Sequence, residues 1–204
     1  MNTGDTHLFK ADSTRNPGFA FFGWQGWGVC HPAAWNAVML GSDRRRGTCV
    51  LADLDGPRLE LAWKTLPKGR WPNLEKTATE HLAAIDGDRD YVDLSDHPSG
   101  SLRRSRIVLA PSGQIAAVGV ESSISGRAMI IKLSLAGIKD WVAIAGRVIE
   151  SLRDHAADES IPWSLYDLSC RSPAGFELAG RSVVAGGVRL DFARGSSSLS
   201  FWKV

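Results

Sequence analysis

The residues that could do chemistry in this chain are scattered rather than gathered. Its five histidines, His7, His31, His81, His97 and His155, include no two at the spacing that lets one strand or one helical turn ligate a metal. His81, near Glu75 and Glu80 in one helical pattern, reads as a solvated position. His31, beside Pro32, reads as a histidine packed into a corner of the chain. The acids Asp53, Asp55, Asp86, Asp88 and Asp90 fall in expected loops but lack the fixed offsets and distal glutamate of a calcium loop. The sequence contains no Gly-x-Ser-x-Gly elbow for a serine nucleophile, no phosphate-cradling Gly-x-x-x-x-Gly-Lys-Ser/Thr loop and no dinucleotide fingerprint. Cys30, Cys49 and Cys170 form no Cys-x-x-Cys pair and read as buried thiols. No catalytic set, metal site or cofactor site is expected from these residues.

Two other features could recognise a partner. Arg44, Arg45 and Arg46 lie in a polar turn between Gly41 and Gly47, and Arg103, Arg104 and Arg106 open an expected strand. The guanidinium fork pairs bidentately with carboxylate or phosphate, so the six arginines are candidate partner-binding residues if both clusters reach one side. Trp24 and Trp27 belong to an aromatic run with Phe19, Phe21 and Phe22. Interleaved glycines make that run a first core strand, with an aromatic-lined ligand pocket as the alternative. A net charge of +2 excludes a protein held to nucleic acid by bulk charge alone, and nucleic acid is not the expected partner.

The elements that must position these residues follow from periodicity. Residues 1–17 are polar, carry no apolar signal core and read as a loosely ordered arm ending at Asn16-Pro17-Gly18. No apolar run approaches the ~20 residues of a membrane helix, so no membrane association and a cytoplasmic location are expected. From Trp27 to Trp63 the pattern predicts a three-stranded antiparallel meander with a Pro32-x-x-Trp35 corner. Asp55-Gly56 marks a hairpin whose following Pro57 suggests a loop longer than two residues. Asn73 is placed to cap a helix carrying Leu74, Ala78, Leu82 and Ile85 and ending at Gly87. Strands are expected near Tyr91-Val92, over Arg106–Ala110, Gln114–Glu121 and Ala128–Leu133. A long helix follows from Ile138 to about His155, with Ile138, Trp141, Ala145, Val148 and Leu152 on one face, widened by Val142 and Ile149. That stripe should pack flat against a sheet.

After Pro162 the first pattern returns. Cys170-Arg-Ser-Pro173-Ala-Gly-Phe176 matches Cys30-His-Pro32-Ala-Ala-Trp35. Gly187, Leu190-Asp191, Gly195 and Trp202-Lys203 match Gly47, Leu51 with Asp53, Gly56 and Trp63-Lys64. A partial internal repeat is the expectation. A lone three-stranded meander with one apolar face is not stable in water, so it must pack on the first unit or on a second chain. The organisation expected is an arm over 1–17, an α+β domain over 18–157 and a partial repeat over 158–204.

An aromatic first strand, the Pro-x-x-Trp corner at Pro32 and Trp35, a meander, a helix, three strands and a long helix together resemble the PsbP-like fold over roughly residues 21–156. The resemblance rests on Trp27, Pro32 and Trp35. It implies an antiparallel sheet covered by helices and used for interaction or assembly, in a family whose known members are mostly non-enzymatic. The functional expectation is therefore a non-catalytic assembly protein, acting on a protein partner or on itself as a homodimer through 158–204. Two alternatives stand beside it: a small-molecule binder or enzyme with a pocket at Trp24 and Trp27, and a weak nucleic-acid or acidic-partner binder through the arginine clusters.

Overall fold

The aromatic run at the start of the chain turns back on itself within a few residues. Gln25 and Gly26 both take positive φ, 51° and 85°, which makes the tight turn that joins β1 (Phe19–Trp24) to β2 (Trp27–Pro32). The two strands pair antiparallel, with Trp24 opposite Trp27. The run is therefore a hairpin rather than one strand, and Trp27 does not open the meander. Gln25 is not a customary residue for that turn, which is why the sequence conceals it.

The computed structural model describes residues 18–41, 43–67, 92–93, 102–109, 115–122 and 124–204, together with residues 73, 76 and 80. The expected arm over 1–17 lies outside these residues, as do Arg103's neighbours before Leu102, most of the helix expected over 73–87, and His7, His81 and His97. Of that helix, Lys76 and Glu80 are helical, and the Lys76 N–H donates to Asn73 Oδ1 at 3.0 Å, the bond a helix cap makes.

The meander is β3 (Asn36–Leu40), β4 (Arg46–Asp53) and β5 (Gly56–Thr65). Only Leu54 and Asp55 separate β4 from β5, so the loop is two residues and not longer. A register shift between Leu51 and Ala52 accommodates Pro57, which stands opposite Ala52. Leu59, Leu61 and Trp63 are buried in alternation, as the sequence predicts. Four further strands, β6 (Val92–Asp93), β7 (Leu102–Leu109), β8 (Ile115–Ser122) and β9 (Arg127–Ser134), extend the meander into one antiparallel sheet of order β3-β4-β5-β9-β8-β7-β6.

The helix α1 spans Trp141–Ser151, shorter than expected at both ends. Asp140 at its start has φ 58°, and Leu152 at its end is already extended. The next two residues, β10 (Arg153–Asp154), pair with Gly28 and Trp27 of β2 and cannot remain helical. α1 packs on β2, burying Ala145, Val148 and Ile149, while Val142 is 62% exposed and lies outside the buried stripe. Helices covering the large sheet were expected; the first of them lies mostly outside the described residues, and between α1 and the sheet lies β2, its Trp27 ring 5.8 Å from Trp63 of β5. No helix among the described residues is long and apolar enough to cross a membrane.

The chain then makes a second hairpin, β11 (Ile161–Leu165) with β12 (Leu168–Ser172), and a second meander, β13 (Glu177–Val184), β14 (Gly187–Arg194) and β15 (Ser197–Lys203). Phe176 N donates to Pro173 O just as Trp35 N donates to Pro32 O, at 3.2 and 2.9 Å. The residue-by-residue match fails further on. Leu199 and Phe201 turn to the core, so Trp202 takes the other face and is 68% exposed, whereas Trp63 is 3% exposed. The second meander joins the common core through a chain of rings: Trp24 lies 5.3 Å from Trp163, and Trp163 lies 5.0 Å from Phe192.

Candidate functional site

Trp24 and Trp27 are both completely buried. Trp24 donates Nε1–H to Gly41 O at 2.7 Å, and the Arg181 guanidinium lies 5.4 Å from its ring. Trp27 packs between Phe22 and Trp63, and its Nε1–H has no hydrogen-bond partner among the described residues. Their rings form the inside of the core and line no open surface. His31 sits in the corner as the sequence suggests: it stacks on Trp35 with rings 15° from parallel, and its Nδ1 bonds to Pro32 O at 2.8 Å. Burial holds its pKa below the ordinary value, although the Pro32 hydrogen bond works the other way. Burial also pushes the Cys170 thiol up to about 12 and raises Cys49, so neither is a ready nucleophile.

The first arginine cluster divides. Arg44 is half-buried, its guanidinium lying against Gly26 and donating to His155 O at 2.8 Å. Burial, and then the nearby Arg127 charge, lower its pKa. Arg45 and Arg46 are exposed. In the second cluster Arg103, Arg104 and Arg106 lie within β7 rather than before it. The pairing register relates the clusters: Arg46 is opposite Lys64, Lys64 opposite Ala128, Ala128 opposite Glu121, and Glu121 opposite Arg104. One transverse row thus joins Arg46 to Arg104, four strands and roughly 19 Å apart at the usual strand spacing. Within it Arg46 and Lys64 are like charges directly opposed, an arrangement that is destabilising unless an anion lies near.

Sequence reasoning missed the most buried charges. Arg127 and Asp154 form an ion pair whose side chains are 1% and 0% exposed. Arg127 also donates to Gln25 O at 2.7 Å, Arg44 O at 3.3 Å and Ser125 Oγ at 2.9 Å, and the Ser125 hydroxyl donates to Asp154. The cluster ties together the β1–β2 turn, the β3–β4 loop, β9 and β10. No local signal could have found it, because the partners are 27 residues apart and meet only across sheets.

The second missed feature is the outer face of the C-terminal meander. Trp202, Val184 and Val204, exposed by 68%, 64% and 100%, line a groove of about 450 Å³ with Ser182, Arg189 and Ser200. Arg189 Nε donates to Asp191 Oδ1 at 2.8 Å, and the Ser200 hydroxyl donates to the same oxygen. Those two bonds, Ser200's first, hold the Asp191 carboxyl below its ordinary pKa. The alternation of Leu199 and Phe201 was the signal that would have turned Trp202 outward.

Comparison with known proteins gives a likeness of fold only. No family model matches the chain, and no curated protein matches its sequence. Among solved structures it is similar to cyanobacterial PsbP (CyanoP) from Synechocystis sp. PCC 6803, at 13% identity and a TM-score of 0.44, over 76% of this chain and 98% of that one. A protein from Bacteroides thetaiotaomicron is similar over 67% of this chain and 48% of its own length, at 13% identity and a TM-score of 0.35. The chain thus bears a weak, fold-level resemblance to PsbP, and no activity is taken from it.

Proposed function

We propose that this protein is a non-catalytic interaction and assembly module that self-associates through its C-terminal meander. The observation that carries the reading is the exposed apolar surface of that meander: Val184, Trp202 and Val204 around one groove, with Val183 exposed on the opposite face. Apolar groups of that size clustered on an otherwise polar face are characteristic of contact surfaces. The shared hairpin, corner and meander order also supports reading this region as a partial repeat of the first unit. Light scattering across a concentration series tests the proposal. A molar mass that rises from monomer to dimer is expected, and a constant monomer mass would refute it.

A second reading concerns the row from Arg46 to Arg104. The opposed pair Arg46 and Lys64, with neither bonded to an acid among the described residues, supports an acidic protein partner at that end of the row, whereas Arg104 at the other end stands opposite Glu121. Fluorescence anisotropy with a labelled oligoglutamate peptide should show binding that weakens as salt rises. Failure to bind at low salt would dispose of this reading.

A further inference from the structure

β13 is an edge strand. It pairs with β14 on one side, and no other described strand pairs with it on the other. The turn that closes the hairpin reveals which backbone groups face the free side. Ala185 and Gly186, the latter at φ 82°, form a two-residue turn, so Val184 and Gly187 are the hydrogen-bonded closing pair. Hydrogen-bonded and non-bonded pairs alternate along an antiparallel ladder. Ser182 therefore also bonds to β14, while Arg181 and Val183 direct both N–H and C=O outward.

Proteins ordinarily blunt such an edge with charge, proline, a bulge or a covering segment. β13 has its bulge between Leu178 and Gly180, which leaves the run from Gly180 to Val184 regular. Ser182, Val183 and Val184 carry no charge. Val183 and Val184 point to opposite faces and are 49% and 64% exposed, so the edge is open above and below.

We propose that two copies of this chain pair β13 with β13, antiparallel, about a two-fold axis at Ser182. The inference rests on the self-association reading and names the strand that performs it. Register is decided by what each centre would place together. An axis at Arg181 sets the two Arg181 side chains opposite each other and carries Val183 onto the bulge. An axis at Val183 sets Arg181 opposite Ala185, already in the turn. With the axis at Ser182, Arg181 of each copy stands opposite Val183 of the other, and the outward groups exchange four N–H···O bonds. Val184 then lies opposite Gly180, where the missing side chain leaves room beside Asp191; a Cβ on Gly180 would stand 3.5 Å from Asp191 Oδ2. The two meanders become one six-stranded antiparallel sheet, and the contact closes on itself as an isologous pair must.

The test uses the full chain, sedimentation equilibrium and amide hydrogen exchange. Val183→Pro removes an outward N–H that β14 does not use, so the meander should keep its melting temperature. The dimer should weaken by at least about tenfold, and Arg181 should exchange rapidly in the variant but slowly in the wild-type dimer. Val183→Lys, which sets a cation opposite Arg181 of the other copy, should weaken the dimer likewise, and it serves if the proline variant does not fold. A wild-type dimer that persists in both variants, with Arg181 unprotected, overturns the edge pairing and leaves self-association to another part of the meander. A wild type that stays monomeric overturns both.

Discussion

Removing Asp154 should unfold this protein more readily than any other single charge deletion. Its partner Arg127 is 1% exposed, and among the described residues Asp154→Ala leaves that guanidinium only neutral acceptors: Gln25 O, Arg44 O and Ser125 Oγ. An uncompensated buried charge of this kind costs about 3–5 kcal/mol. For a chain of this size each kcal/mol lowers Tm by about 2–4 °C, so the expected fall is about 6–20 °C. Urea denaturation followed by tryptophan fluorescence gives the free energy directly, because Trp24, Trp27 and Trp63 are all in the core. The double variant Arg127→Met with Asp154→Leu removes both charges. It should cost less than Asp154→Ala alone, because no unpaired charge is then left buried. An Asp154→Ala cost below about 1 kcal/mol would mean that water reaches Arg127 and that the pair is not the buried tie described.

Three other expectations probe separate parts of the fold. Gly47→Ala would set a Cβ 2.4 Å from Cζ2 of Trp63, whose indole is held by a bond to Asp43 O; a loss of about 1–3 kcal/mol by chemical denaturation is expected, and a neutral change would mean the indole moves freely. At a concentration where the chain is monomeric, Trp35→Ala should cost about 3–5 kcal/mol, whereas Trp202→Ala should stay within about 0.5 kcal/mol; equal costs there would contradict their exposures of 3% and 68%. Burial lowers the pKa of His31, and burial followed by the Arg171 charge lowers that of His155. Between the folded and unfolded pKa values the unfolded chain binds more protons, so stability is full above about pH 6.5 and declines as pH falls. A denaturation midpoint that stays flat below that pH in the wild type, or declines as steeply in His31→Phe, would contradict this assignment.

Much of the local structure was legible in the sequence because it depends on near neighbours. The alternation of Leu59, Leu61 and Trp63 marks a half-buried strand wherever it packs, and the Pro32 and Pro173 corners each close with a bond three residues along. The helix was legible in its middle, through Ala145, Val148 and Ile149, but its end depended on β2 claiming Arg153 and Asp154. The arginine clusters were visible as clusters. Their common row was not, since it follows from four successive pairings across the sheet.

What the sequence by itself determined is the order of strands and turns and which side chains share a face, since backbone period and turn chemistry act over a few residues. Only the tertiary structure decided which face is inside and which charges neutralise each other. Val142 shows the first: the helical period places it beside the apolar stripe, yet it is 62% exposed, because the packing of α1 on β2 buries only Ala145, Val148 and Ile149. Arg127 and Asp154 show the second. A charge can enter the interior only where a partner from another segment meets it, and that meeting is a property of packing rather than of either segment's sequence.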